Sequence, residues 1–363
     1  MAIAEPRPTT YAGRPRAGLS ELLARQGTAF WVVVVLLLIM PAILSPFWLV
    51  QILAYSLILG MVALSLMFLG GYGGIVSLVQ MTVAAFAAYL VAILGDSAIA
   101  QISLKWPWWM AVPVAIVLAT LFGTLSGALS VRTEGIYTIM ITLAIASAFY
   151  YLCLQNYTIF NGFSGFNGVK PPVFLGVDWG ETLPFYYLVL VCAALAYGAV
   201  LYCSRSPFGL ALQGTRDNPR RMAALGFNVV AHRIAAYAFA SVIAAFAGVL
   251  LVWYQRQVSP GTAGVGPVVD ILIIAVVGGL SRPIGPFVGA LVYVLLRTFA
   301  LDLLTAAGLD GKRYQLVVGA GFLAIVLFSP DGLIGIWRRL RERHRRRSEE
   351  RTAQMRIGGG GQP

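Results

Sequence analysis

The chain has 363 residues, 59% of them hydrophobic and 11% charged, where a soluble domain carries about a quarter charged residues. That balance excludes a soluble globular enzyme and describes a polytopic membrane protein, whose length counts spans of about 20 apolar residues each. A formal net charge of +12 raises nucleic acid as a partner, but the arginines gather in loops and at the termini, where membrane topology requires them.

Residues 1–28 form a polar tail rich in Pro and Arg, too poor in apolar side chains to bury a core. Arg14, Arg16 and Arg25 precede the first apolar run, 29–44, which lacks a small-residue cleavage site. It reads as an uncleaved first span with its amino end in the cytoplasm. Further spans are expected at 52–69, 76–94, 108–131, 136–154, 184–203, 234–254, 268–280, 284–301 and 314–328. The expected fold is therefore all-α, an integral membrane protein of about ten transmembrane helices. The segment 268–280 is short and ends in glycines, so a broken or re-entrant segment stays open there. A basic tail, 337–363, follows a transmembrane domain of 29–336, and anionic lipid at the inner leaflet would hold it.

The basic residues fix the orientation. Ten spans and an inside amino terminus put Arg132, the loop 205–233, Arg282 and the arginines of 338–347 in the cytoplasm. The segment 155–183 then lies outside, with Lys170 as its only base beside Asp178 and Glu181. Arg256, Lys312 and Arg313 also fall outside, against the rule. Both termini are expected to be cytoplasmic.

After the second span, Gly70, Gly71, Gly73 and Gly74 surround Tyr72 and interrupt the helix. This is either a cytoplasmic turn or irregular backbone that lines a cavity at membrane depth. Gly123 with Gly127, and Gly285 with Gly289, have the spacing that lets membrane helices approach closely. Glu134, Asp270 and Arg297 are the ionisable residues in or at the edge of spans, and the last two are expected to snorkel toward span ends. Tyr137, Thr138 and Thr142 offer polar groups to a translocation path, sharing one helix face only in part. Cys153, Cys192 and Cys203 have no metal-ligand spacing and read as packing residues. The outer stretch NGFSGFNGVKPP, 161–172, is a Gly/Asn/Pro loop that cannot be a span.

The longest polar interruption, 209–233, has a specific grammar. Asn218 caps a helix, Pro219 occupies its first turn, Arg220 to Leu225 continue it, and Gly226 ends it in a left-handed conformation. So short a helix needs something to pack against. It is either a connector on the membrane surface or a docking helix for a cytoplasmic partner.

Signals for catalysis are nearly absent. The two histidines, His232 and His344, sit in polar segments, and neither H-E-x-x-H nor G-x-S-x-G occurs. No G-x-x-x-x-G-K-[ST] occurs either, so this chain does not cradle nucleotide phosphates in a Walker fashion. If ATP drives this chain, another chain binds the ATP and its magnesium. No catalytic residue, cofactor or metal is expected in this one.

Three stretches carry a family resemblance. The loop holds Ala223, Ala224 and Gly226 in an AA-x-G pattern, and the segment from Gly278 reads GGL-x-x-x-x-GP-x-x-GA. GYGGIVSLVQ keeps Gly73, Gly74, Ser77 and Leu78 of an expected GQ-x-SLG-x-A, with Ile75 and Val79 departing from it. Together they resemble the membrane subunits of bacterial ABC importers for branched-chain amino acids, the Liv-type permeases, nearer the LivM-like branch. The resemblance implies alternating access in the inner membrane. It implies an ATPase-coupling loop of Asn218, Pro219, Arg221, Ala223, Ala224 and Gly226, and a translocation path past Gly73, Gly74, Ser77, Tyr137, Thr138 and Thr142. The implied partners are cytoplasmic ABC ATPase subunits, a second related permease subunit, a periplasmic binding protein landing on the outer face, and membrane lipid, with no nucleic acid. The substrate class spans branched-chain amino acids, urea, amides and aromatic acids. An alternative is a self-contained secondary transporter or channel for a small polar solute. It fits the missing phosphate loop equally well, but it lacks a visible coupling-ion site.

Overall fold

The computed structural model describes residues 28–306 except 98, 100, 101, 134 and 175, together with residue 319. Both tails, the expected span 314–328, Glu134, Lys312, Arg313 and His344 lie outside the described residues. Helix α1 (Thr28–Ile43) belongs to a separate compact unit; it is apolar throughout, and Pro41 falls in its last turn.

The larger unit is built on α2 (Trp48–Tyr72), 25 residues long with 83% of its most apolar stretch buried. It opens and closes in π turns, Trp48–Ala54 and Phe68–Tyr72, around a regular core, Tyr55–Met67. α3 (Gln80–Leu94) and α9 (Val229–Gln255) pack beside it. α4 (Trp108–Ser130) and α5 (Ile136–Gln155) are peripheral, with 28% burial each. α4 exposes Val117, Leu121, Leu125 and Leu129 along one face, a stripe that lipid tails can solvate. α6 (Thr182–Arg205), α10 (Val265–Gly278) and α11 (Gly285–Ala306) complete the apolar helices. Five of the helices are long and apolar enough to cross a membrane, and four shorter apolar ones accompany them among the described residues. The expected ten are thus not all accounted for. α10 has 14 residues, roughly 21 Å at 1.5 Å per residue, shorter than a hydrocarbon core of about 30 Å.

Small residues mark the helix crossings, as packing in lipid demands. A Cβ at Gly123 or Gly127 of α4 would strike Ser241 or Tyr237 of α9. Gly248 of α9 lies on the Ala84 carbonyl of α3, and Gly289 of α11 on the Ile274 carbonyl of α10. The α10–α11 turn closes where Gly278 meets the Gly285 carbonyl and Gly279 takes φ +98°.

The segment 155–183 is more ordered than a plain loop and adds strand to an otherwise helical chain. β1 (Phe166–Asn167) and β2 (Val173–Phe174), β3 (Val177–Asp178) lie within it, and β4 (Gln257–Val258) follows α9. β1 pairs antiparallel with β4, Phe166 opposite Val258, while β2 and β3 form a hairpin. Phe160, Phe166 and Val169 are buried with Tyr89 and Phe149, the Tyr89 and Phe160 ring centroids being 5.3 Å apart. The segments after α5 and α9 therefore meet at one end of the helices. Those after α2, α6 and α10 meet at the other, through contacts described next.

Candidate functional site

The polar stretch after α6 folds as two short helices, α7 (Pro207–Asp217) and α8 (Pro219–Ala224). Asn218 caps α8, its side-chain oxygen accepting from the Arg221 N–H at 2.9 Å, with Pro219 in the first turn. Gly226 ends the helix at φ +89°. The Phe227 N–H donates to the Met222 carbonyl at 3.1 Å and the Gly226 N–H to Ala223 at 3.0 Å, the paired bonds of a Schellman turn. All of this follows the sequence reading. α7 was not anticipated, although Ser206 and Pro207 repeat the same cap-and-proline signal: the Ser206 hydroxyl accepts from the Gly209 N–H at 3.2 Å.

α7 and α8 form one compact unit with the start of α9. The Met222 sulfur lies against Gly214, and the His232 ring stacks on Phe208 and meets Phe227 edge-on. Asn228 caps α9 through the Ala231 N–H at 3.0 Å, so that helix begins at Val229 instead of 234. Nothing in α8 is buried. Ala223, Ala224, Leu225 and Phe227 all face outward, Leu225 being 67% exposed. Among the described residues nothing buries this apolar surface.

Beneath this unit lies the glycine turn. Leu212 packs at Gly73, and the stem of Arg216 packs on Gly74, which takes φ +67°. Arg216 Nη1 donates to the Gly71 carbonyl. From the other flank the Leu280 carbonyl sits on Gly71 and its side chain on Gly70. The chain then runs as irregular backbone from Gly74 to Val79, and Ile75, Ser77, Leu78 and Val79 are buried. The Leu78 N–H donates to Thr142 Oγ1 at 3.1 Å. At the start of α3, Gln80 Oε1 accepts from the Ser65 hydroxyl at 3.3 Å. Ser65 is seven residues inside the end of α2, roughly 10 Å along its axis. The irregular backbone thus dips below the end of α2 and packs against α5. α3 starts at Gln80 and not at 76 for that reason.

Around this segment lies a cluster of buried hydroxyls. Thr138 and Thr142 are 4% and 0% exposed on one face of α5, whereas Tyr137 is 66% exposed on another. Thr142 thus meets the irregular segment at Leu78 and donates to the Thr138 carbonyl, Gly73 and Gly74 lie instead against Leu212 and Arg216 of α7, and Tyr137 stands apart. The Ser130 hydroxyl donates to Tyr237 at 3.1 Å, and Tyr237 also faces Ser77. Among the described residues Gln80 Nε2, Thr82 Oγ1 and Ser241 Oγ are buried without a hydrogen-bond partner. Asp270 and Arg297 lie close to one another, Arg297 being exposed. They share a cluster in which Tyr293 hydrogen-bonds Asp270 and Arg297 hydrogen-bonds Tyr55. No cluster of metal-ligating side chains occurs among the described residues.

Residues 48–327 match the family described as branched-chain amino acid transport system / permease component. The chain is 24% identical over 254 residues to the high-affinity branched-chain amino acid transport system permease protein LivM of Escherichia coli, covering 64% of this chain and 58% of that protein. It is 28% identical over 235 residues to the probable branched-chain amino acid transport permease protein LivM of Methanocaldococcus jannaschii, covering 61% and 67%. Similarity extends to the ribose import permease protein RbsC of Haemophilus influenzae, 23% over 254 residues, covering 68% and 75%. The match spans less than two thirds of the length of the E. coli relative. No solved structure matches the chain.

Proposed function

The chain belongs to the branched-chain amino acid permease family, and from that premise we propose that it is the membrane-spanning subunit of an ATP-driven importer. Its substrates are branched-chain or related small amino acids, moved across a bacterial inner membrane by alternating access. ATP and magnesium are held by separate ABC ATPase subunits on the cytoplasmic side. A related permease subunit completes a heterodimer, and a periplasmic binding protein delivers substrate to the face formed by 155–183. Both termini lie in the cytoplasm, as does the basic tail against anionic lipid.

One observation carries this reading: a helix fixed by a cap at each end presents Ala223, Ala224 and Leu225 to the outside, with none of the described residues burying them. A connector needs no such surface, but a groove in a partner ATPase does. Closure of the ATPases would press on Asn218, Pro219, Arg221, Ala223, Ala224 and Gly226, and the motion would open the path past Gly73, Gly74, Ser77, Thr138 and Thr142. Tyr137, on the opposite face of α5, would serve that path only through a partner subunit.

Ala224→Arg tests it. The substitution adds length and charge to an exposed position, so insertion and yield should stay normal while the cognate ATPase no longer co-purifies. Retention of the ATPase at the native ratio would leave α7 and α8 an ordinary connector.

A further inference from the structure

The end of α2 is held by a residue 145 positions away. A helix leaves its last carbonyls without intrahelical donors and carries partial negative charge there. The four glycines around Tyr72 supply no side chain that could serve those carbonyls. Arg216 supplies the donor from α7, Nη1 reaching the Gly71 carbonyl. Its geometry is set by the next residue, since Nε and Nη2 both lie on Asp217 Oδ1, at 3.0 and 2.9 Å. The same side chain packs its stem on Gly74, where a Cβ would strike it, and Leu212 one turn earlier seats at Gly73. Beyond Gly74 the backbone is irregular until Gln80 and is tied to α5 at Thr142.

The geometry points to Arg216 as the positioning residue that transmits movement of α7 and α8 to the irregular segment 74–79. This rests on the docking reading above and adds a route to it. A push on α8 moves α7, with which it packs through Met222 and Gly214. α7 acts on Gly71 through a charge-assisted hydrogen bond and on Gly74 by contact. The segment that carries Ser77 and Leu78 then shifts relative to Thr142. Asp217 keeps the guanidinium turned toward the carbonyl.

The test uses the full transporter complex with its ATPases, in a background with the three native cysteines replaced by alanine. Val76→Cys reports on the segment through its rate of maleimide labelling with and without ATP. With Arg216 present, ATP should change that rate at least threefold. Arg216→Met should keep the ATPase bound and hydrolysing, yet lose the ATP response. Arg216→Lys should recover part of it, because an ammonium can still donate to Gly71 but cannot make the paired contact with Asp217. The same comparison with Lys stands if the Met variant fails to insert. An ATP response in Arg216→Met equal to the native one, or no response even with Arg216 present, would overturn the proposal. Absence of the ATPase from the native complex, or its retention by Ala224→Arg, would instead overturn the docking reading.

Discussion

Gly226 takes φ +89° with open space where a side chain would stand, so the cost of replacing it is conformational and not a clash. A residue with a Cβ pays about 1–2 kcal/mol for the left-handed region. In a helix of six residues that is enough to unwind the last turn. Gly226→Val is therefore expected to weaken ATPase binding at least fivefold in a pull-down titration, with Gly226→Ala milder. Thr142→Val removes the acceptor of the Leu78 N–H. The buried amide left behind costs about 1–3 kcal/mol, and a thermal-melt assay should show the loss, with Thr142→Ser close to native. Residues whose partners lie nearby were legible in the sequence: Asn218, Pro219 and Gly226 make a complete helix within nine positions. Arg216 was not, because nothing in a linear pattern says that a loop arginine will serve a glycine carbonyl on another helix.

Apolar runs locate helices well because lipid leaves the backbone no alternative to internal hydrogen bonds. Their ends are read less well. α9 begins five residues before the expected start because Asn228 caps it, and α3 begins four residues late because 76–79 is drawn into contact with α5. The strands escaped notice since two-residue pairs leave no alternation to see. Gly123 and Gly127 were legible as a packing pair, though their partners on α9 were not. Gly127→Leu would drive a side chain into Tyr237. Overpacking of this kind costs about 1–3 kcal/mol, so the variant should melt earlier in detergent, whereas Leu125→Ala on the exposed face of the same helix should not. Equal melting of the two would contradict the α4–α9 packing.

At the scale of the whole molecule, the alternation of ends is the strongest constraint. β1 pairs with β4 at one end, while Arg216, Gly71 and Leu280 meet at the other. Cysteines introduced at Asn167 and Arg220 should accordingly react with an impermeant reagent from opposite sides of the membrane. The arginines led to an even number of spans; nine apolar helices stand among the described residues, and the expected span 314–328 lies outside them. Arg256, expected outside against the arginine rule, has a local role: its guanidinium donates to the Gly180 carbonyl at 3.1 Å, and its own carbonyl accepts from the Val169 N–H at 3.1 Å. It ties two segments of the same face together.

Energy source separates a permease subunit from a self-contained transporter most directly. Leucine uptake would be measured in proteoliposomes holding this chain alone under proton or sodium gradients, and in proteoliposomes holding it with its partner permease and ATPases, with binding protein on the outer face and ATP on the other. We expect accumulation only in the second case, and only while ATP is hydrolysed. Gradient-driven accumulation by the chain alone would contradict the account.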